Sequence, residues 1–484
     1  MSLSLYCSKA QRVRHFEPLE AGKVGIYLCG PTVQSEPHVG HLRSALVYDQ
    51  LRRWLTTMGL DVTLVRNVTD IDDKVLANAI DKGEAWWALA YRMELEFNRN
   101  YQLLRIAPPT YEPRATASIP EMLELIERLI TAGYAYAAED GSGDVYFAAS
   151  KWADYGELTN QKIDDMAAAD DSDPRGKRDA RDFALWKGHK AGEPPTAAWQ
   201  TRFGLGRPGW HIECSAMSTK YLGSQFDIHG GGLDLRFPHH ENELAQSRAA
   251  GDAFANYWLH NGLVNVAGQK MSKSLGNSIF ARDLFAAGSA MAVRYYLGSA
   301  HYRSVLDYHD GVLDEAQAAL DRITGFVKRA TRSVAQTRFE PKLDFGDLAG
   351  IGVANVLPPD FVAALNDDLA VPAAMAAVHE AVRAGNIALE AGQLDSVAAS
   401  LTATRAMLSV LGIDPLASAW SEGNQAASAE HAALDSLVQA LIAERNAARA
   451  ARDFARADAI RDQLAAAGLV LADGATQTHW SVNG

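Results

Sequence analysis

The strongest constraint on the fold lies near the amino end. An apolar run, Val24, Ile26, Tyr27 and Leu28, gives way to Cys29, Gly30 and Pro31, and then to His38, Val39, Gly40 and His41. The run has strand composition, and Leu42, Leu46, Tyr48, Leu51 and Trp54 recur close to helical spacing. Strand, loop and helix in that order make the first βα unit of an open parallel sheet, whose ligands bind beyond the carboxyl ends of the strands. The helix start would offer that crevice unpaired N–H groups and a positive dipole end, which suit phosphate. Gly40 has no Cβ to hold a nucleotide away. His38 and His41 can donate to phosphate oxygens as charge grows on them, although capping or core histidines would look the same in sequence.

Far downstream, Lys270, Met271, Ser272, Lys273 and Ser274 precede Leu275, Gly276 and Asn277. Two lysines and two hydroxyls in a Gly-flanked loop can reach a triphosphate, with Lys273 a point charge on the β and γ groups. A solvated loop would share that composition. With both segments in this order behind a βα start, the chain resembles the class I aminoacyl-tRNA synthetases, whose HIGH and KMSKS signatures they match. The resemblance implies an α/β fold: a Rossmann-like parallel-sheet catalytic domain with an insertion, then an α-helical bundle domain and a small C-terminal domain.

At 484 residues there is room for about three domains. The net charge of -13 argues against a broad non-specific binder of polyanions, though not against a local basic face. No apolar run approaches the length of a membrane span. Lys9, Arg12 and Arg14 interrupt any signal-like stretch at the start, so a cytoplasmic, membrane-free protein is expected. Cys7, Cys29 and Cys214 are the only cysteines, too few for a disulfide framework; for Cys7 a buried, inert thiol is expected.

In order, residues 1–110 read as the first half of the catalytic domain, 111–200 as a connective insertion and 201–310 as the second half with the lysine loop. Residues 311–412 follow as a helical bundle, 413–429 as a linker and 430–484 as the C-terminal domain. A second strand covers 61–65; Thr69 or Asp70 after it is either a substrate contact or a helix cap. A helix is expected over 82–104, and the glycine-bearing stretch 339–358 reads as a loop. No sustained heptad seam is visible, and a monomer is expected.

In the second half, Trp210, His211, Ile212, Glu213 and Cys214 precede Pro238, His239, His240, Glu241, Asn242 and Glu243. With Pro238 opening a helix, His239 and Glu243 lie four apart on one face and can give two ligands to one metal. Adding Cys29 and Cys214 makes a donor set suited to zinc, although isolated cysteines are more often small buried hydrophobes. Here the chain is similar to the cysteinyl-tRNA synthetases. The resemblance implies one Zn2+ per chain on Cys29, Cys214, His239 and Glu243. It implies an amino-acid pocket at Cys29, Thr69 and Trp210. ATP contacts would come from His38, Gly40, His41, His229, Gly231, Asp234, Lys270 and Lys273. His240 and Glu241 would serve as outer-sphere or nucleotide contacts.

The implied partners are ATP with Mg2+, L-cysteine and tRNA(Cys). The implied reaction is attack of the cysteine carboxylate on the α-phosphorus, then acyl transfer to the tRNA 3' end, with His38, His41, Lys270 and Lys273 as the catalytic set. Hydrophobic pockets separate near-isosteres such as cysteine and serine by only ~10 to 200-fold; a soft metal separates them by chemistry. Near the C-terminus, Ala447, Ala450, Phe454, Ala457, Ile460 and Leu464 form an apolar helix stripe. Arg445, Arg449, Arg452 and Arg456 lie opposite, as a solvated face or a phosphate track. The alternative reading is a related ligase that joins activated cysteine to an amino-sugar acceptor, a family that lacks this C-terminal portion.

Overall fold

The run at 24–28 forms strand β1 (Lys23–Leu28), followed by helix α1 (Val39–Thr57) and strand β2 (Asp61–Arg66). This computed structural model describes residues 3–161, 175–271, 276–335, 356–421, 425–473 and 478–482. The second half of the sheet follows helix α2 (Trp210–Leu222): strand β3 (Gln225–Gly232), helix α3 (Glu241–Ala249) and strand β4 (Phe254–Asn261). The strand order is β4-β3-β1-β2, with every neighbouring pair parallel. The winding reverses between β1 and β3, and the crevice of such a sheet opens at that reversal. The Cys29 N–H donates to the Gly230 carbonyl across it at 3.0 Å.

Helix α1 covers the sheet through Val39, Leu42, Leu46, Leu51, Trp54 and Leu55, all buried. Its Tyr48 hydroxyl accepts from Gly231 N–H at 2.7 Å and donates to the Leu259 carbonyl at 2.6 Å, pinning the helix to β3 and β4. A Cβ on Gly230 would lie 2.2 Å from the Tyr48 ring, so glycine there is a packing requirement.

Between the halves sits a five-stranded antiparallel sheet with strands at Ala135–Ala137, Val145–Phe147, Phe183–Gly188, Trp199–Thr201 and Gly204–Pro208. The inserted sheet therefore runs past residue 200, the boundary expected for it. A helix over Asp73–Lys82 precedes the one expected over 82–104, which spans Trp86–Leu103. Gly83, at φ 65°, ends the first by turning its N–H back onto the Ala79 and Ile80 carbonyls. Asp72 caps that first helix by accepting from Lys74 N–H, so neither Thr69 nor Asp70 is the cap.

Helix α4 (Ala290–Ser299) leads to a bundle of α5 (Val312–Ala335), α6 (Pro359–Asn366), α7 (Val371–Glu390) and α8 (Leu394–Leu411). Residues 339–355 of the expected loop lie outside the described residues; its end opens α6 on Pro359. Arg294 of α4 joins the bundle to α1. Its guanidinium pairs with Asp49 at 2.6 Å and donates to the carbonyls of Leu104, Arg105 and Leu411, with both charged side chains 1% exposed. Burial alone would push the Asp49 carboxyl up, but Arg53 and Arg294 outweigh it and hold the group below its usual value. The stabilisation is therefore present above the unfolded carboxylate pKa of about 4 and is lost as pH falls through the lower folded value. Asp49→Asn leaves Arg294 buried without its anion and is expected to cost ~3 to 5 kcal/mol in urea unfolding at pH 7.

The first compact unit ends at Pro415 and the second runs Leu416–Gly484. The stretch read as a linker is not uniform: Asp414 belongs to the first unit, buried against Arg405 at 2.9 Å, while helix α9 begins at Gln425. The second unit comprises α9 (Gln425–Ala450), α10 (Phe454–Ala466) and an antiparallel pair, Leu469–Asp473 with Thr478–Val482. Its core is Val438, Ile442, Ile460, Leu464 and Leu469. The expected single helix is broken at Arg452, φ 64°, with Asp453 capping α10. Of the apolar stripe, Ala457, Ile460 and Leu464 are buried as expected while Phe454 past the break is 61% exposed; of the arginines opposite, Arg449, Arg452 and Arg456 are exposed and Arg445 is buried. Arg456 pairs with Glu444 at 2.7 Å. No helix among the described residues is long and apolar enough to cross a membrane.

Candidate active site and metal centre

Four side chains from separated segments meet at the sheet reversal. Cys29 follows β1, Cys214 lies in α2, and His239 and Glu243 come from the entry to α3 and its first turn; all four are buried. One ligand atom from each lies within 4.8 Å of all the others. Glu243 Oε1 is 3.4 Å from the Cys29 sulfur and 3.0 Å from His239 Nε2. Pro238 does not open a regular helix, because Phe237 is extended and α3 starts at Glu241, yet His239 still reaches Glu243. Burial pushes the Cys29 and Cys214 thiols up and drives His239 down to about 4. A site that shuts two thiols away from water disfavours their thiolates, and a divalent cation at its centre reverses that preference. Two sulfurs, one imidazole and one carboxylate fit zinc.

His229 and His240 also fall within 4.8 Å of Cys29 and Glu243, but this second set offers one sulfur and neither histidine lines the cavity. The two histidines brace the site from behind. His229 Nε2 is 2.8 Å from Glu243 Oε2, and its ring stacks on Trp258 at 4.5 Å. His240 Nδ1 meets His260 at 2.8 Å. His229 was expected among the ATP contacts; it is fully buried against the Glu243 carboxylate. Gly231, expected with it, packs against Tyr48 and His240, and the cavity is lined by its neighbours Gly232 and Asp234. Glu241 accepts from the Gly156 and Thr159 N–H groups and the Thr159 hydroxyl, so it ties the insertion down rather than touching a nucleotide.

A cavity of about 390 Å³ runs from the cluster to the head of α1, lined by Cys29, Cys214, His239, Trp210 and Thr69 at one end and by His38, Gly40, His41 and Lys270 at the other. Thr69 is fixed by main-chain bonds to Pro31 and Val33, donates its hydroxyl to Glu213 at 2.8 Å and accepts from Asn67 at 3.2 Å. Asn67 also accepts from Gly30 N–H at 2.8 Å; a Cβ on Gly30 would sit 1.7 Å from the Asn67 carbonyl oxygen. The Trp210 ring lies 4.2 Å from His239.

At the other end the histidines are both cap and donors. His38 Nδ1 accepts from Gly40 N–H at 3.2 Å, and His41 Nδ1 accepts from His38 N–H at 3.1 Å, closing a capping box. A main-chain N–H can only donate, so each Nδ1 is the acceptor and the ring proton of each neutral imidazole sits on Nε2. The cap thereby sets both rings as donors. Lys270, on the strand Gln269–Lys270, lines the same cavity; Lys273 lies outside the described residues.

Three residues of the site escaped the sequence reading. His211 Nδ1 is 2.9 Å from His239 Nδ1, and burial drives its pKa well down. Glu213 and Asn67 hold Thr69. The available signal was position: a histidine and a carboxylate on the same short stretch as Cys214.

The pattern described as the tRNA synthetase class I (C) catalytic domain matches residues 15–318, a DALR domain matches 360–415, and a cysteinyl-tRNA ligase anticodon-binding domain matches 431–480. The chain is 62% identical over 489 residues to a cysteine–tRNA ligase of Clavibacter michiganensis, and 61% identical over 487 residues to one of Leifsonia xyli, covering 100% of both chains in each case. Among solved structures, a Mycobacterium tuberculosis methionyl-tRNA synthetase in complex with methionyl-adenylate shares the fold at TM-score 0.56 and 17% identity, over 81% of this chain and 90% of that one. The amino-sugar ligase alternative is not supported by relatives that match from end to end, nor by the anticodon-domain match. A class I catalytic pattern spanning more than half of the sequence, with such relatives along its whole length, establishes that the chain belongs to the cysteinyl-tRNA synthetase family.

Proposed function

We propose that the cavity activates L-cysteine with ATP and passes the cysteinyl group to the 3' end of tRNA(Cys). One observation carries the reading: a single cavity joins a cluster of two buried thiols, an imidazole and a carboxylate to a helix cap that presents two histidine donors, with Lys270 on the same wall. The cysteine carboxylate attacks the α-phosphorus and pyrophosphate leaves; a terminal ribose hydroxyl of the tRNA then takes the acyl group and AMP leaves with the mixed anhydride oxygen. A zinc ion on Cys29, Cys214, His239 and Glu243 would supply a soft Lewis acid that prefers the substrate thiolate to a hydroxyl. Thr69 and Trp210 close the amino-acid end. His38, His41 and Lys270, with Lys273, meet the phosphates as charge builds on them, and Asp234 at the cavity wall can accept from ribose hydroxyls. Magnesium would enter with ATP. The 431–480 match supports anticodon contacts by the second unit, and the reaction suits the cytoplasm.

The test is charging of tRNA by labelled cysteine with ATP and magnesium, with labelled serine in parallel. Cysteine on its cognate tRNA, with serine absent, is the expected result; equal charging by serine would overturn the metal-selection part, and transfer only to another acceptor would overturn the whole.

His211 orients the His239 ring from outside the cluster, and such partners tune metal affinity by ~10 to 100-fold. His211→Phe is therefore expected to weaken zinc retention by about that factor in competition with a chelator, with the helix α2 signal in circular dichroism unchanged.

A further inference from the structure

Arg43 lies two residues past His41 on α1, is 1% exposed, and among the described residues has no carboxylate hydrogen-bond partner. Its guanidinium donates instead to four main-chain carbonyls: Nη1 to Gly262 at 3.1 Å and Leu263 at 2.6 Å, Nη2 to Ser304 at 2.5 Å and His301 at 3.4 Å. The Nε atom is buried with no hydrogen-bond partner among the described residues. A cation buried with no counter-ion is costly, and an apolar side chain of similar length would fill the same space without that cost. The four carbonyls therefore point to a task for this group beyond filling the core.

The two segments it grips both lead to Lys270. Residues 262–263 run into strand β5 (Val264–Val266), which turns back as β6 (Gln269–Lys270) and places Lys270 opposite Asn265. Residues 301–304 run into β7 (Leu306–Tyr308), which pairs with β5 in parallel. At the guanidinium the segments converge as closely as the chain allows: Gly262 N–H donates to the Tyr302 carbonyl at 2.8 Å, and a Cβ on Gly262 would sit 2.2 Å from the Ser304 oxygen. One planar group on the helix that carries His38 and His41 thus bridges both strands at the base of the Lys270 arm. Five donors in a rigid fork make this possible; the compact ammonium of a lysine cannot span two carbonyl pairs.

We propose that Arg43 is a positioning residue for adenylate formation: it fixes the Lys270 arm relative to the two histidine donors without touching substrate. The inference rests on the ATP-dependent reading given under Proposed function. Misplacing a charged group by about 1 Å costs on the order of 100-fold in rate.

The test is cysteine-dependent exchange of pyrophosphate into ATP by the full chain, comparing wild type with Arg43→Gln, Arg43→Lys and Gly262→Ala. In Arg43→Gln the exchange kcat is expected to fall on the order of 100-fold, with the KM for cysteine held within about twofold and bound metal unchanged. Arg43→Lys is expected to recover part of the rate. Gly262→Ala parts the same two segments while leaving the charge in place, so it is expected to show the same split and decides the matter if Arg43→Gln does not fold. A kcat within about threefold of wild type in the folded variants would overturn the proposal. So would a loss of cysteine affinity and metal in step with kcat, the mark of general packing. Absence of exchange in the wild type would overturn the ATP reading itself, and the proposal with it.

Discussion

Cys214→Ser is expected to strip the protein of most of its bound zinc and to lower kcat/KM for cysteine in pyrophosphate exchange by at least ~100-fold, the upper end of what even an outer-sphere partner costs. The side chain is 1% exposed on α2, and serine is close to cysteine in shape, so the fold has no reason to yield. What changes is the donor. A hydroxyl in this buried setting does not ionise, which leaves the cluster with one sulfur in place of two and removes half of its preference for a soft metal. Discrimination against serine is expected to fall together with metal content, because both arise from the same ion. Metal analysis after dialysis, alongside exchange with either amino acid, reads both. Wild-type zinc and wild-type exchange in the folded variant would sink the assignment of Cys214 as a ligand.

His41→Asn is expected to lower the exchange kcat by ~10² to 10³-fold, the range seen when one donor to a developing anion is removed, while shifting the melting temperature little. The asymmetry follows from the two jobs of the ring. Its Nδ1 accepts from His38 N–H at 3.1 Å and closes the cap of α1, whereas its Nε2 carries the donor proton. Asparagine keeps an acceptor near the Nδ1 position and has nothing at Nε2. His41→Ala loses the cap as well, and is expected to cost about 1 kcal/mol of stability beyond His41→Asn. A large fall in melting temperature with an unchanged rate in His41→Asn would mean that the histidine is a cap alone.

How much of this was legible in the sequence depends on how local the signal was. The spacing of His239 and Glu243 and the strand-loop-helix around Cys29 are short-range patterns, and the structure brings those residues together. Lys270 at the cavity wall was likewise readable from a compact lysine loop. The depth of His229 was not: whether a strand residue faces the crevice or the layer behind it is set by register against β1 and β4, which no local pattern records. The packing of Gly231 was hidden for the same reason, since the space where a Cβ would go is taken by His240 and Leu235. Helix ends were missed where one residue adopts a left-handed backbone, at Gly83 and at Arg452. The arginine could not have been anticipated, because its residue type disfavours that conformation. Arg43 was invisible for a different reason: its partners are carbonyls, which every residue possesses.

The cluster that joins Cys29 to Cys214, His239 and Glu243 also has an order in time. The first ligand and the last are 214 positions apart, so at ~5 to 20 residues per second a ribosome needs on the order of ten to forty seconds to deliver the rest after Cys29 has emerged. Throughout that interval the nascent chain holds a lone thiol at the end of an unfinished sheet, open to oxidants and to stray metals. The full donor set can close only when β3 has docked beside β1. A metal held by all four residues would therefore be captured late in the making of each molecule, and zinc uptake by a nascent or refolding chain would report that the two halves of the sheet have found each other.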